Sequence, residues 1–125
     1  MGSDRVRAAV IQMVSSDIVA DNLRDAGAWV DAAAGDGAEL VVLPENFAFL
    51  GRHERAALEV GEPDGAGPIQ DFLAATAQRL GITLVGGSLP MQGDEPDRVR
   101  SACLVYGPDG RRIARYDKRH LFDVS

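Results

Sequence analysis

Leu40-Val41-Val42-Leu43-Pro44-Glu45-Asn46-Phe47 is the stretch on which the reading of this chain turns. Four apolar residues in a row predict a short strand buried on both faces, as in the parallel part of an α/β sheet. Pro44 stops the ladder, because its φ is fixed and it has no N–H to donate. Glu45 then falls at the C-terminal end of the strand, where open α/β sheets form their ligand crevices. A carboxylate there, partly desolvated, suits general-base work. Read alone, it is equally a solvent-facing acid at a strand end.

Strand and helix signals alternate on both sides of this point. Residues 6–13 are apolar and predict a strand, and Ser15-Ser16-Asp17 offers helix N-cap side chains. Leu23, Ala26, Val30, Ala33 and Ala34 recur at helical spacing until Gly35-Asp36-Gly37. Downstream, residues 52–60 predict a short helix, followed by the loop Gly61-Glu62-Pro63-Asp64-Gly65-Ala66-Gly67. Pro68 suits a first helical position. Ile69, Phe72, Leu73, Ala77 and Leu80 then line one face before Gly81. Residues 82–85 predict another strand, closed by Gly86-Gly87.

Beyond the polar stretch Gln92-Gly93-Asp94-Glu95-Pro96-Asp97 the pattern changes. Residues 98–106 and 111–116 flank Gly107-Pro108-Asp109-Gly110, which predicts a hairpin and therefore a mixed sheet. The order β-α-β-(α)-α-β-β-β, without repeat or linker, describes one continuous piece of a layered α/β protein.

Composition narrows the function. The 125 residues carry 13 basic and 19 acidic side chains, a formal net charge of −6. An acidic chain without a basic stripe is a poor partner for nucleic acid or an anionic membrane. Arg111, Arg112, Arg115, Lys118 and Arg119 are interleaved with Ile113, Tyr116 and Leu121, which reads as a half-exposed strand. No stretch approaches the roughly 20 apolar residues of a membrane span. The first residues lack the apolar core of a signal peptide. One cysteine makes no internal disulfide, which fits a reducing compartment, and the expected location is cytoplasmic.

The second chemical signal is Tyr116-Asp117-Lys118-Arg119-His120-Leu121-Phe122. A lysine anchored between a strand and an apolar turn can stabilise a tetrahedral oxyanion; by itself it is also an ordinary surface lysine. His120 reads as a packed structural histidine and His53, among Arg52, Glu54 and Arg55, as exposed. Cys103, within Ala102-Cys103-Leu104-Val105, reads as a small buried thiol.

Taken in order, Val10-Ile11-Gln12-Met13, Leu43-Pro44-Glu45-Asn46-Phe47, Gly86-Gly87-Ser88, Gly107-Pro108-Asp109-Gly110 and Tyr116 to Phe122 resemble the nitrilase superfamily of carbon–nitrogen hydrolases. The resemblance runs over about residues 5–124. Met13-Val14-Ser15 and Glu45-Asn46-Phe47-Ala48-Phe49 are most similar to its Nit-type branch, which includes deaminated glutathione amidase and omega-amidase. The resemblance implies an α/β fold, the N-terminal half of a four-layer α-β-β-α sandwich with a mixed sheet. It also implies a Glu–Lys–Cys triad. Glu45 falls on the general base and Lys118 on the lysine that stabilises the oxyanion and assists proton transfer to the leaving group. The expected reaction is hydrolysis of a small amide or nitrile through a cysteine thioester, without metal or organic cofactor. Phe47, Phe49 and residues 51–61 are expected to line the acyl pocket.

The family's nucleophilic cysteine stands on a strand some tens of residues beyond the lysine, and Cys103 precedes it. The expectation is therefore a partial domain over residues 1–125, inactive alone, from a longer homo-oligomeric enzyme. Arg100 stands where the family commonly has asparagine. A half-sandwich would leave one apolar sheet face open to water, so the chain alone is expected to be poorly soluble or to assemble through that face. Two other readings are open: a non-catalytic chain that keeps the fold for binding or assembly, and an unrelated α/β binding module.

Overall fold

The structure, a computed structural model, describes residues 5–118. His120, Leu121 and Phe122 lie outside the described residues. The elements run β1 (Ala8–Val10), α1 (Val19–Gly35), β2 (Leu40–Val42), α2 (Glu54–Val60), α3 (Pro68–Leu80), β3 (Thr83–Val85), β4 (Leu89–Gln92), β5 (Val99–Tyr106) and β6 (Arg112–Asp117). β1, β2 and β3 are parallel, with Ala9, Val41 and Leu84 in one register row. β5 runs antiparallel to β3, β4 and β6, so the described residues form one mixed sheet of six strands. β3 and β4 take one edge of β5 and β6 takes the other, because β6 and β3 both pair with residues 105–106.

Alternation along the strands decides which face is covered. Val41, Leu43, Leu84, Ala102, Leu104 and Tyr106 point under the helices and are buried there with Ala26 and Val30 of α1 and Ile69, Leu73 and Ala77 of α3. Each large apolar side chain buried in this layer contributes about 1.5–3 kcal/mol. The other face holds the register row Val10, Val42, Val85, Val105 and Ala114, which stays partly or wholly exposed. β2 is therefore covered on one face in the described residues: Val41 is fully buried, while Leu40 and Val42 are half-exposed. That corrects the two-face expectation. The described residues supply one helical layer and one sheet layer of the expected sandwich.

Local signals mark the ends of α3 better than the start of α1. Pro68 opens α3 and the left-handed Gly81 (φ 65°) ends it, with Ile82 N–H donating to Ala77 O at 3.1 Å. The N-cap of α1 is Ile18, with no side-chain cap bond. The serine expected to cap it acts one step earlier: Ser16 Oγ accepts the Ile18 N–H at 3.2 Å. β4 is an addition to the sequence reading. It contains Pro90, a poor strand residue, and it exists because Leu89 to Gln92 meets Ala102 to Val99 across the sheet. The hairpin forms as expected, with Gly110 N–H donating to Gly107 O and Asp109 Oδ1 accepting the Arg111 N–H. No helix of the described residues is long and apolar enough to cross a membrane.

Candidate active site

Three connections meet at the C-terminal ends of the parallel strands β1, β2 and β3, the crevice end of an open α/β sheet. In the second connection Leu43 N–H still donates to Val85 O at 2.9 Å. Pro44 ends the ladder, Glu45 follows, and Asn46 adopts the left-handed conformation at φ 58°. The Asn46 N–H donates to Ser88 Oγ at 2.8 Å. Gly87 lies directly against this turn: a Cβ there would stand 2.0 Å from Pro44 O, and its φ is 55°. Only glycine fits that approach without moving the backbone.

The far side of the turn is fastened as firmly. Phe47 and Ala48 are fully buried and draw the chain back into the core. Ser15 Oγ donates to Phe47 O at 2.8 Å. Asn22 of α1, 1% exposed, donates through Nδ2 to Ala48 O and to Ser16 O, and its Oδ1 accepts the Ser16 N–H. A buried amide with its donors and acceptor engaged locks the first connection to the second. Leu50 N–H donates to Ser16 O and closes the set.

Lys118 arrives from the other side of the sheet. Its backbone N–H donates to Ser101 O at 2.9 Å, which extends the β5–β6 ladder by one bond. Asp117, just before it, accepts from Arg115 Nε at 2.7 Å and lies 3.7 Å from Arg100. Arg100 also reaches Asp94 at 2.8 Å, so this arginine ties the loop after β4 to the end of β6. Across 73 residues of sequence, Lys118 Nζ forms an ion pair with Glu45 Oε1. The two side chains are 46% and 58% exposed, so Glu45 is not desolvated as the strand-end argument expected.

The remaining candidates separate. Phe47 is wholly buried, its ring 6.5 Å from that of Phe72, and Phe49 is buried against Gly51. Among the described residues both rings are packed inside rather than open to the surface. Cys103 pairs with Tyr116 on the open face and is half-buried rather than sealed; burial pushes its thiol up, away from the reactive thiolate. Among the described residues no group of three or more His, Cys, Asp or Glu is placed to hold a metal ion. The concavity lined by Arg5, Val6, Arg7, Gly37 and Glu39 lies at the other end of the parallel strands from Glu45.

Sequence reasoning missed the buried polar residues. Asn22 and Ser88 hold the turn, and Glu62, 4% exposed, accepts the Ile69 N–H at 2.6 Å and the Gln70 N–H at 3.1 Å. Glu62 thus caps α3 from outside the helix. A polar residue gives no sign in sequence that it will be buried. What the site offers chemically is a carboxylate able to accept a proton beside an ammonium able to stabilise an oxyanion.

Comparison with known proteins gives concordant results. The family model described as carbon-nitrogen hydrolase matches residues 7–125. A deaminated glutathione amidase from Synechocystis is 40% identical over 119 residues, covering 94% of this chain and 43% of that protein. Omega-amidase NIT2 of Danio rerio is 37% identical over 132 residues, covering 97% of this chain and 42% of that one. The crystal structure of Saccharomyces cerevisiae Nit3, of branch 10 of the nitrilase superfamily, matches with a TM-score of 0.82 at 26% identity, over 94% of this chain and 45% of that chain. The chain thus spans about 42–45% of the length of these proteins, in their N-terminal portion.

Proposed function

This chain belongs to the carbon–nitrogen hydrolase family, and from that premise we propose that it carries two members of an amidase active site. Glu45 is the general base and Lys118 the oxyanion-stabilising cation. The nucleophile is a cysteine outside these 125 residues. The Glu45 carboxylate accepts the thiol proton and the thiolate attacks the carbonyl carbon of a small carboxamide. Lys118 stabilises the negative charge that develops on the carbonyl oxygen. Collapse of the tetrahedral adduct breaks the C–N bond, and the nitrogen takes the proton held by Glu45 and leaves as ammonia, which returns Glu45 to its carboxylate. Water, giving a proton to Glu45, then attacks the thioester; the C–S bond breaks, the carboxylic acid is released and the departing sulfur takes the proton back from Glu45, which restores the thiol.

The observation that carries this reading is the Glu45–Lys118 ion pair at the crevice end of the parallel strands. Relatives that are deaminated glutathione amidases and omega-amidases support an amide substrate rather than a nitrile. The same reading describes a homo-oligomeric cytoplasmic enzyme acting on a small molecule, with the 125-residue chain inactive by itself.

The test is ammonia release from deaminated glutathione and from small omega-amides by the protein as its source organism makes it. Glu45→Gln and Lys118→Ala are each expected to lower kcat by about a hundredfold or more with folding intact. Variants that keep wild-type turnover would remove both assignments. The non-catalytic reading, in which the chain serves assembly, would then take their place.

A further inference from the structure

We propose that Ser88 is a positioning residue for Glu45: its buried hydroxyl holds the Asn46 turn that aims the carboxylate at Lys118. The inference rests on the reading of Glu45 as the general base. Ser88 is buried and stands 42 residues from Asn46 in sequence, so the bond between them exists only in the folded chain. The turn it holds is short. It begins after Leu43, whose N–H belongs to the sheet, and ends at Phe47, whose carbonyl is held by Ser15. Between them Pro44 has no N–H to offer, and the Asn46 N–H goes to Ser88 Oγ at 2.8 Å.

Asn46 sits at φ 58°, in the left-handed region that asparagine tolerates better than other side chains but at some cost, which the bond to Ser88 helps to offset. Gly87 shapes the other half of the mould, with its own backbone against Pro44 O. Take away the Ser88 hydroxyl and the Asn46 N–H has no acceptor. The turn is then free to relax toward negative φ and swing Glu45 away from Lys118. A displacement of about 1 Å at a reacting group lowers turnover by about a hundredfold.

The experiment compares Ser88→Ala and Ser88→Thr with wild type and with Glu45→Gln in the protein as its source organism makes it. Three readouts are followed: melting temperature, kcat and KM for ammonia release from deaminated glutathione, and the through-space NMR contact between Lys118 ε and Glu45 γ protons. Ser88→Ala is expected to melt near wild type and lose about a hundredfold in kcat, with KM within about twofold. The Lys118–Glu45 contact should vanish, and Ser88→Thr, which keeps the hydroxyl, should restore it together with kcat. If Ser88→Ala does not fold, Ser88→Cys keeps the bulk with a weaker acceptor and carries the same comparison. An unchanged kcat, or a fall that only tracks the unfolded fraction while the contact persists, would overturn the proposal. Wild-type turnover in Glu45→Gln would instead mark failure of the general-base reading, whatever Ser88 does.

Discussion

Gly87 concentrates at one residue the constraint that shapes the whole crevice end of the sheet. Its φ of 55° lies in the left-handed region, and Pro44 O occupies the space a Cβ would need. Strain alone at such a position costs about 1–3 kcal/mol, and a contact with backbone has no flexible side chain to absorb it. Gly87→Ala should therefore lower the unfolding free energy by at least about 2 kcal/mol, read as a drop in the denaturant midpoint. A variant within about 0.5 kcal/mol of wild type would mean that the Pro44 turn yields easily, and the case for a rigid mould around Glu45 would fall with it. Ser88, next in sequence, does by hydrogen bonding what Gly87 does by absence of a side chain.

Among the elements, α3 and β6 are coupled through the loop between Gly61 and Gly67. Glu62 caps α3 with both carboxylate oxygens, at the positive end of the helix. Gly67, at φ 141°, leaves the space that the Glu62 carboxylate fills. Two residues on from Glu62, Asp64 pairs with Arg112 and, at 2.9 Å, with Arg115 of β6. The Arg112 guanidinium first, then that of Arg115, holds the Asp64 carboxyl below its ordinary 3.8, at about 2. A carboxyl depressed on folding adds stability above its unfolded value, and that stability is lost as pH falls toward the folded one. The stability difference between wild type and Asp64→Asn should thus be constant above about pH 4 and close between pH 3.8 and 2. With Asp64 55% exposed, solvent screening keeps it to about 1 kcal/mol or less. Thermal melts across that range check the window. A difference that persists at pH 2 would point to packing rather than charge.

At the scale of the molecule, the helices among the described residues cover one face of the sheet and leave the other. The row Val10, Val42, Val85, Val105 and Ala114 runs from edge to edge of that face, and Val10 is 76% exposed. Apolar surface in water costs about 25 cal/mol for each Å². The 125-residue chain by itself is expected to associate through this face, giving a weight-average mass in sedimentation that rises with concentration. Val85→Lys, which places a charge at the centre of the row, should shift the distribution toward monomer without lowering the melting temperature. A monodisperse wild-type monomer with a cooperative melt would show that the valine row tolerates water.

Some of this was legible in the residues alone. The run Leu40 to Leu43, the Pro68 start and Gly81 stop of α3, and the Gly107 to Gly110 hairpin are local: the chemistry that makes each lies within a few residues. They sufficed for a mixed α/β sheet with helices between its first strands, and the ordered motifs sufficed for the family. Glu45 and Lys118 were candidates on the same grounds. What the tertiary structure alone decided was long-range. It paired β4 with β5 despite Pro90, and it buried the polar side chains of Asn22, Ser88 and Glu62. It also sent Phe47 and Phe49 into the core and left Glu45 exposed beside Lys118. Local propensity and side-chain period act between neighbours in sequence, whereas burial and hydrogen-bond partners are settled by segments that meet only when the sheet has formed.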